Sequence, residues 1–199
     1  MAFSPKEQFR SFVATPQIFA EDQSFEYPLY PAFRIDLPEE LPEISAPEAN
    51  VLGKRMEHYF SCYVDHFASE KILTSNRQII EDKKTIGELD FLLKEPASGE
   101  VSHVELVYKY YVFDPASGTT EIEHLIGPNK RDSLEQKLQR LQKRQFPLLF
   151  HKSSEKLLKD LKVDPKRVVQ KMCFKASVFL PKQSRDISFQ QKNPATVSW

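Results

Sequence analysis

Cysteine is nearly absent from this chain, with two in 199 residues. Cys62 and Cys173 fall in separate expected elements and lack the spacing of a metal site. Each reads as a small buried hydrophobe in a reducing compartment. The five glycines include no glycine-rich phosphate loop, and no nucleophile-elbow pattern or His/Cys cluster occurs, which argues against the enzyme classes built on those motifs. No apolar run approaches the roughly 20 residues that span a bilayer, so no membrane role is expected. The N-terminus lacks a basic segment followed by an apolar core, so the expectation is a cytoplasmic protein without a secretory signal. Repeats and low-complexity tracts are also missing. Net charge is zero, which argues against indiscriminate binding of nucleic acid through the whole surface.

What is present is a globular composition. Apolar residues make up 40%, with 15 phenylalanines, enough for one domain with a real core. Charge is unevenly placed: residues 1–50 are acidic and residues 130–175 are strongly basic. That suits a phosphate-binding groove beside an acidic arm, and equally a helix with a solvated lysine-rich face. Residues 1–47 read as a short helix and a proline-interrupted arm. Its aromatics (Phe9, Phe12, Phe19, Phe25, Tyr27, Tyr30, Phe33) would dock on the main domain. Residues 48–180 form the core domain and 181–199 a polar, frayed tail.

Within the core, Leu52, Met56, Tyr59, Phe60, Tyr63, Val64 and Phe67 follow helical spacing from about Pro47 to Phe67, with Glu57 at the border of the apolar face. Strands are expected at Arg77–Glu81, Thr85–Lys94, Val101–Asp114, about Glu121–Ile126 and Val168–Leu180, the last at an edge. Asp132 and Glu135 read as a capping box opening a helix that turns Leu134, Leu138 and Leu141 inward. A further helix is expected over Ser154–Lys162. Helices before and after the strands imply an α/β fold with a mixed central sheet flanked by helices.

Chemistry concentrates on two strands. Alternation puts Glu88 and Asp90 on one face of Gly87–Leu93, and His103, Glu105 and Lys109 on one face of the next strand. Asp90 and Glu105 stand amid apolar neighbours, where a carboxylate without partners is costly and a binding or catalytic role is a common reason to keep one. Carboxylates so placed suit a hard divalent cation, and an ammonium beside them can stabilise phosphoryl charge. His103 alone is more often a structural hydrogen-bonder.

The Gly-Glu-x-Asp, His-x-Glu-x-x-x-Lys-Tyr-Tyr and Ile126-Gly-Pro-Asn-Lys-Arg-Asp132 motifs, followed by a leucine-rich helix, resemble a bacterial domain-of-unknown-function family. That family is placed in the PD-(D/E)XK nuclease-like superfamily, and the resemblance is best over roughly Leu52–Leu141. It implies a restriction-endonuclease-like core and magnesium or manganese bound by Asp90 and Glu105 with support from Glu57. It also implies phosphodiester hydrolysis on nucleic acid. The superfamily motif carries a lysine two residues after the glutamate, where this chain has Val107. Lys109 lies four residues on, its Cα roughly 13 Å from that of Glu105 at about 3.3 Å per residue. The cation is then Lys109, or Lys130, Arg131 or Lys137 near or on the next helix. Otherwise the domain is a catalytically inactive nuclease-fold module that binds nucleic acid or a protein. Asn129, Lys130 and Arg131 at that helix start, with Lys137, are the candidate phosphate contacts.

Overall fold

The computed structural model describes residues 3–19, 26–31, 33 and 36–181, and the backbone of 196–198. Helix α1 (Pro5–Ala14) opens with a reciprocal cap: the Ser4 hydroxyl accepts from the Glu7 amide, and the Glu7 carboxylate takes the Ser4 N–H. Both otherwise orphaned donors are satisfied, and Pro5 sits in the first turn where no N–H is needed. Helix α2 (Leu52–Phe67) turns Met56, Tyr59, Phe60, Tyr63 and Val64 inward, as their spacing predicts. It begins at Leu52, several residues after Pro47.

Strands β1 (Lys71–Glu81), β2 (Lys84–Lys94) and β3 (Val101–Phe113) form an antiparallel meander. The β1–β2 turn is made by Asp82 and Lys83, both at positive φ (47° and 63°), the twist that a two-residue hairpin needs. Strand β5 (Val168–Leu180) runs parallel to β3 along its whole length, from Val101↔Val168 to Val112↔Phe179. A parallel neighbour requires a crossover, and residues 134–167 supply it. It contains α3 (Leu134–Arg140), a π turn (Leu141–Gln145), a 3-10 turn (Phe146–Phe150) and α4 (Glu155–Asp160). The two-residue β4 (Leu125–Ile126) pairs with β3, and β6 (Thr196–Ser198) runs parallel to β5. The result is an α/β domain with a mixed sheet in the order β1-β2-β3-β5-β6.

Aromatic packing binds the N-terminal segment to the sheet. Phe9, Phe12, Tyr30, Tyr59 and Phe60 share one core with Phe91, Leu93, Val104 and Leu106. On the other side Val107, Phe113, Leu134, Leu141, Phe146 and Phe174 form a second. The expected anchors Phe9, Phe12, Phe19 and Tyr30 are buried, whereas Phe25 lies outside the described residues. The arm also caps the edge of β5: the Ile18 and Tyr30 amides donate to Phe174 and Met172 carbonyls (both 2.8 Å), and the Met172 amide donates back to Pro28 (2.9 Å). Strand β5 is therefore not a bare edge, because arm and β6 occupy it in succession, which removes unpaired donors that would template aggregation.

Other boundaries also shift. Residues 121–124 are turn, leaving only Leu125–Ile126 as strand. The cap of α3 is Ser133, whose hydroxyl accepts from the Gln136 amide (3.2 Å), because Asp132 is turned away to Lys109. The Ser154–Lys162 helix is a 3-10 turn over Lys152–Ser154 followed by α4. Of the tail expected to be frayed, 182–195 and 199 lie outside the described residues, and 196–198 are strand. Among the described residues no helix is long and apolar enough to cross a membrane.

Candidate metal centre

The site arises from an interruption in the sheet. Strands β2 and β3 pair only from Lys94↔Val101 to Phe91↔Val104. Beyond Phe91, β2 continues with β1 as far as Glu81↔Lys84, while β3 continues with β5. The sheet forks at Asp90 and Glu105. A fork strands backbone donors, and Asp90 takes one of them: its Oδ2 accepts the Leu106 N–H at 2.9 Å.

A cleft of about 350 Å³ opens in the fork. The gap lets both helical layers reach it: Lys54 and Glu57 come from α2, Lys137 and Arg140 from α3, and Arg144 and Gln145 from the π turn. Glu57, Glu88 and Asp90 converge there, each offering a carboxylate oxygen within 4.8 Å of the others. Glu57 and Asp90 are buried and Glu88 partly so. Opposite ligands of an octahedral hard cation stand about 4–5 Å apart, so this acidic trio could hold a metal ion with small side-chain adjustments. Lys54 meets the trio from the rim, pairing with Glu57 (2.8 Å) and with Glu88.

Glu105 is placed differently from Asp90. It is fully buried, and both its oxygens are taken by donors: His103 Nε2 to Oε1 (2.8 Å) and Gln145 Nε2 to Oε2 (2.6 Å). Gln170 Nε2, a donor only, bonds His103 Nδ1 (3.0 Å), so the imidazole proton lies on Nε2 and points at Glu105. Gln170 also donates to the Phe146 carbonyl (2.7 Å). His103 is thus the structural hydrogen-bonder its lone occurrence suggests, and it anchors Glu105.

Burial without a full complement of cations perturbs these groups. Burial, then the nearby Glu105 charge, raises the Asp90 carboxyl well above the usual carboxylate range, with the Leu106 N–H opposing. Burial likewise pushes Glu105 up to about 8 against the attraction of Lys137, and pushes His103 down to about 4. The Lys137 ammonium is lowered by burial while Asp90 and Glu105 pull the other way. Asp90 and Glu105 hold their protons because burial outweighs the attraction of Lys137.

Of the cations considered for the vacant Val107 slot, Lys109 and Lys137 line the cleft. Val107 itself is buried in the second core. Lys109 is ion-paired with Asp132 (2.5 Å), whereas Lys137 lies in the field of Asp90 and Glu105 and, among the described residues, bonds Gln145 Oε1 (3.2 Å). Asn129, Lys130 and Arg131 are exposed on the turn after β4 and do not line the cleft. That turn is closed by the Gly127 amide to the Asp132 carbonyl (2.7 Å), and a Cβ at Gly127 would fall 2.0 Å from Asp132 Oδ1. The turn thus serves to seat Asp132 against Lys109.

Sequence reasoning missed Lys54, Arg140, Arg144 and Gln145 as cleft residues. Lys137, Arg140 and Arg144 do stand at i, i+3, i+7, one helical stripe, and that was the available signal. Searches among curated proteins and among solved structures gave no match. The family model for the domain of unknown function DUF1853 matches residues 33–198, and the chain belongs to that family.

Proposed function

We propose that this protein is a metal-dependent phosphodiesterase acting on nucleic acid, with a restriction-endonuclease-like core. One observation carries the reading: an acidic trio and a cationic wall face each other across one cleft, at the fork of a mixed sheet. Glu57, Glu88 and Asp90 would hold magnesium or manganese, which when bound supplies Lewis-acid charge and an acidified water at neutral pH. The residues fit that role, since three clustered, partly buried carboxylates suit a hard cation over a softer metal ion.

In this reading the chain's own groups divide the work. Asp90 is oriented by the Leu106 amide, so its second oxygen is left for the trio. Lys137 stands in for the lysine that Val107 replaces, its ammonium reaching the acidic floor from α3 rather than from β3. Lys109, held by Asp132, contributes field rather than contact. Arg140 and Arg144 line the cleft, and their guanidiniums have no acceptor among the described residues, so they are open to phosphate oxygens. From Lys137 to Arg144 the stripe rises about 10 Å, enough to follow successive phosphates of one strand. Glu105 stays behind the trio, held by His103 and Gln145.

The test is cleavage of single-stranded DNA, double-stranded DNA and RNA with magnesium or manganese, run beside an identically purified Asp90→Ala protein. Cleavage by the parent alone is expected. Equal activity in both means a contaminant, and no activity in either leaves the inactive binding module ahead.

A further inference from the structure

Lys137 and Glu105 attract one another across the inner wall of the cleft, yet they do not touch. Gln145 stands between them, with its Nε2–H donating to Glu105 Oε2 (2.6 Å) and its Oε1 accepting from Lys137 Nζ (3.2 Å). We propose that Gln145 is a positioning residue, a neutral wedge that keeps the Lys137 ammonium from collapsing onto Glu105 and leaves it facing the acidic trio. The proposal rests on the reading of Lys137 as the cation of the site.

The chemistry of the amide fits this use. The amide offers a donor to the carboxylate and an acceptor to the ammonium from two separate atoms of one uncharged side chain. A glutamate would set a second acceptor against Glu105, a lysine would repel Lys137, and an asparagine is one methylene too short to serve both. Ammonium has three donors, and the wedge uses one, leaving two for the cleft.

The backbone supports the same conclusion. Gln145 ends the π turn Leu141–Gln145, whose wide turn interrupts the helix at the point where its side chain enters the cleft, and π turns recur at functional sites. The next residue fixes the end of that turn. Phe146 is fully buried, stacks on Tyr27 with centroids 3.9 Å apart, and meets the His103 ring edge-on at 5.7 Å. Its carbonyl accepts from Gln170, which also holds His103. Glu105 is therefore pinned on one side by His103 and on the other by Gln145. Both pins trace to one anchored segment, so the wedge cannot drift without giving up its bonds to Glu105 and Lys137.

The experiment reads Lys137 directly, in protein labelled at lysine Nζ, without substrate or metal. In Gln145→Leu the Lys137 ammonium resonance should move to that of a direct ion pair. Adding Glu105→Gln to Gln145→Leu should return it towards the parent position, a recovery that a merely structural glutamine would not give. Manganese binding by calorimetry should stay within about twofold, because the trio is untouched. Manganese-dependent kcat on a single-stranded DNA oligonucleotide should fall about 100-fold with KM nearly constant, the scale of a misplaced group in a preorganised site. If Gln145→Leu does not fold, Gln145→Met takes its place, since it too removes both the donor to Glu105 and the acceptor of Lys137 and should move the resonance the same way. An unmoved Lys137 resonance overturns the wedge. A parent protein that cleaves nothing refutes the phosphodiesterase reading instead, and the resonance still decides the wedge.

Discussion

Replacing Asp90 with asparagine should make the metal-free protein more stable and make it blind to divalent cations. Asp90 is 7% exposed and sits beside Glu57 and Glu105, and burial with those charges holds its proton well above the usual range. A carboxyl whose folded pKa exceeds its unfolded one contributes stability fully at low pH. That contribution declines as pH rises from about 4 through the folded value. At pH 7.5 the parent therefore carries a stability deficit that asparagine lacks, while the asparagine Oδ1 still accepts the Leu106 amide. Manganese at about 100 times its dissociation constant should stabilise the parent by about 2.7 kcal/mol. For a chain of this size that is a rise in Tm of about 5–11 °C. The Asp90→Asn protein should melt above the metal-free parent and rise by less than about 2 °C with manganese. Scanning calorimetry at pH 7.5 measures both, and repeating it at pH 5 should shrink the parent's rise because a proton competes with the ion for Asp90. Equal rises in the two proteins would refute the assignment of Asp90 to the cation site.

The other charged groups of the cleft give separable outcomes. Lys137→Met should lower kcat by about 10²–10⁴, the range for a lost proton-transfer or charge-stabilising group, with manganese affinity unchanged by calorimetry. Arg140→Ala with Arg144→Ala should reduce the slope of log affinity against log salt for a single-stranded oligonucleotide by about 1.4, two phosphate contacts at roughly 0.7 each, read by fluorescence anisotropy. Lys54 pairs with Glu57 and Glu88, so it competes with the ion. Lys54→Met should bind manganese more tightly than the parent, and weaker binding would mean that Lys54 organises the trio instead.

The main helix was legible because burial imposes a period, Met56 to Val64 repeating at helical spacing. The central strands were legible as apolar runs, with Leu89, Phe91, Leu92 and Leu93 on β2 and Val104, Leu106 and Val107 on β3 all buried. Asp90 was legible as a carboxylate inside such a run. The fork was not, because nothing local ends the β2–β3 ladder at Phe91; the divergence is decided by what packs above and below. Without the fork, α2 and α3 cannot meet across the sheet, so Glu57 was expected only to support Asp90 and Glu105, Glu88 was not expected as a ligand, and Lys54 was not singled out. The lysine question shows the same limit. Lys109 had the right face of the right strand, but Asp132 claims it, and that pairing depends on a turn closed by Gly127. The cap of α3 moved by one residue in consequence, since an Asp132 engaged with Lys109 cannot also cap a helix.

The most direct test of the central claim is anomalous diffraction from crystals soaked in manganese. The account predicts one strong peak at the fork, within roughly 2.0–2.6 Å of carboxylate oxygens from Glu57, Glu88 and Asp90, with Glu105 still bonded to His103 and Gln145. Crystals that bind no manganese at the trio, at concentrations that saturate divalent-cation enzymes, would contradict it.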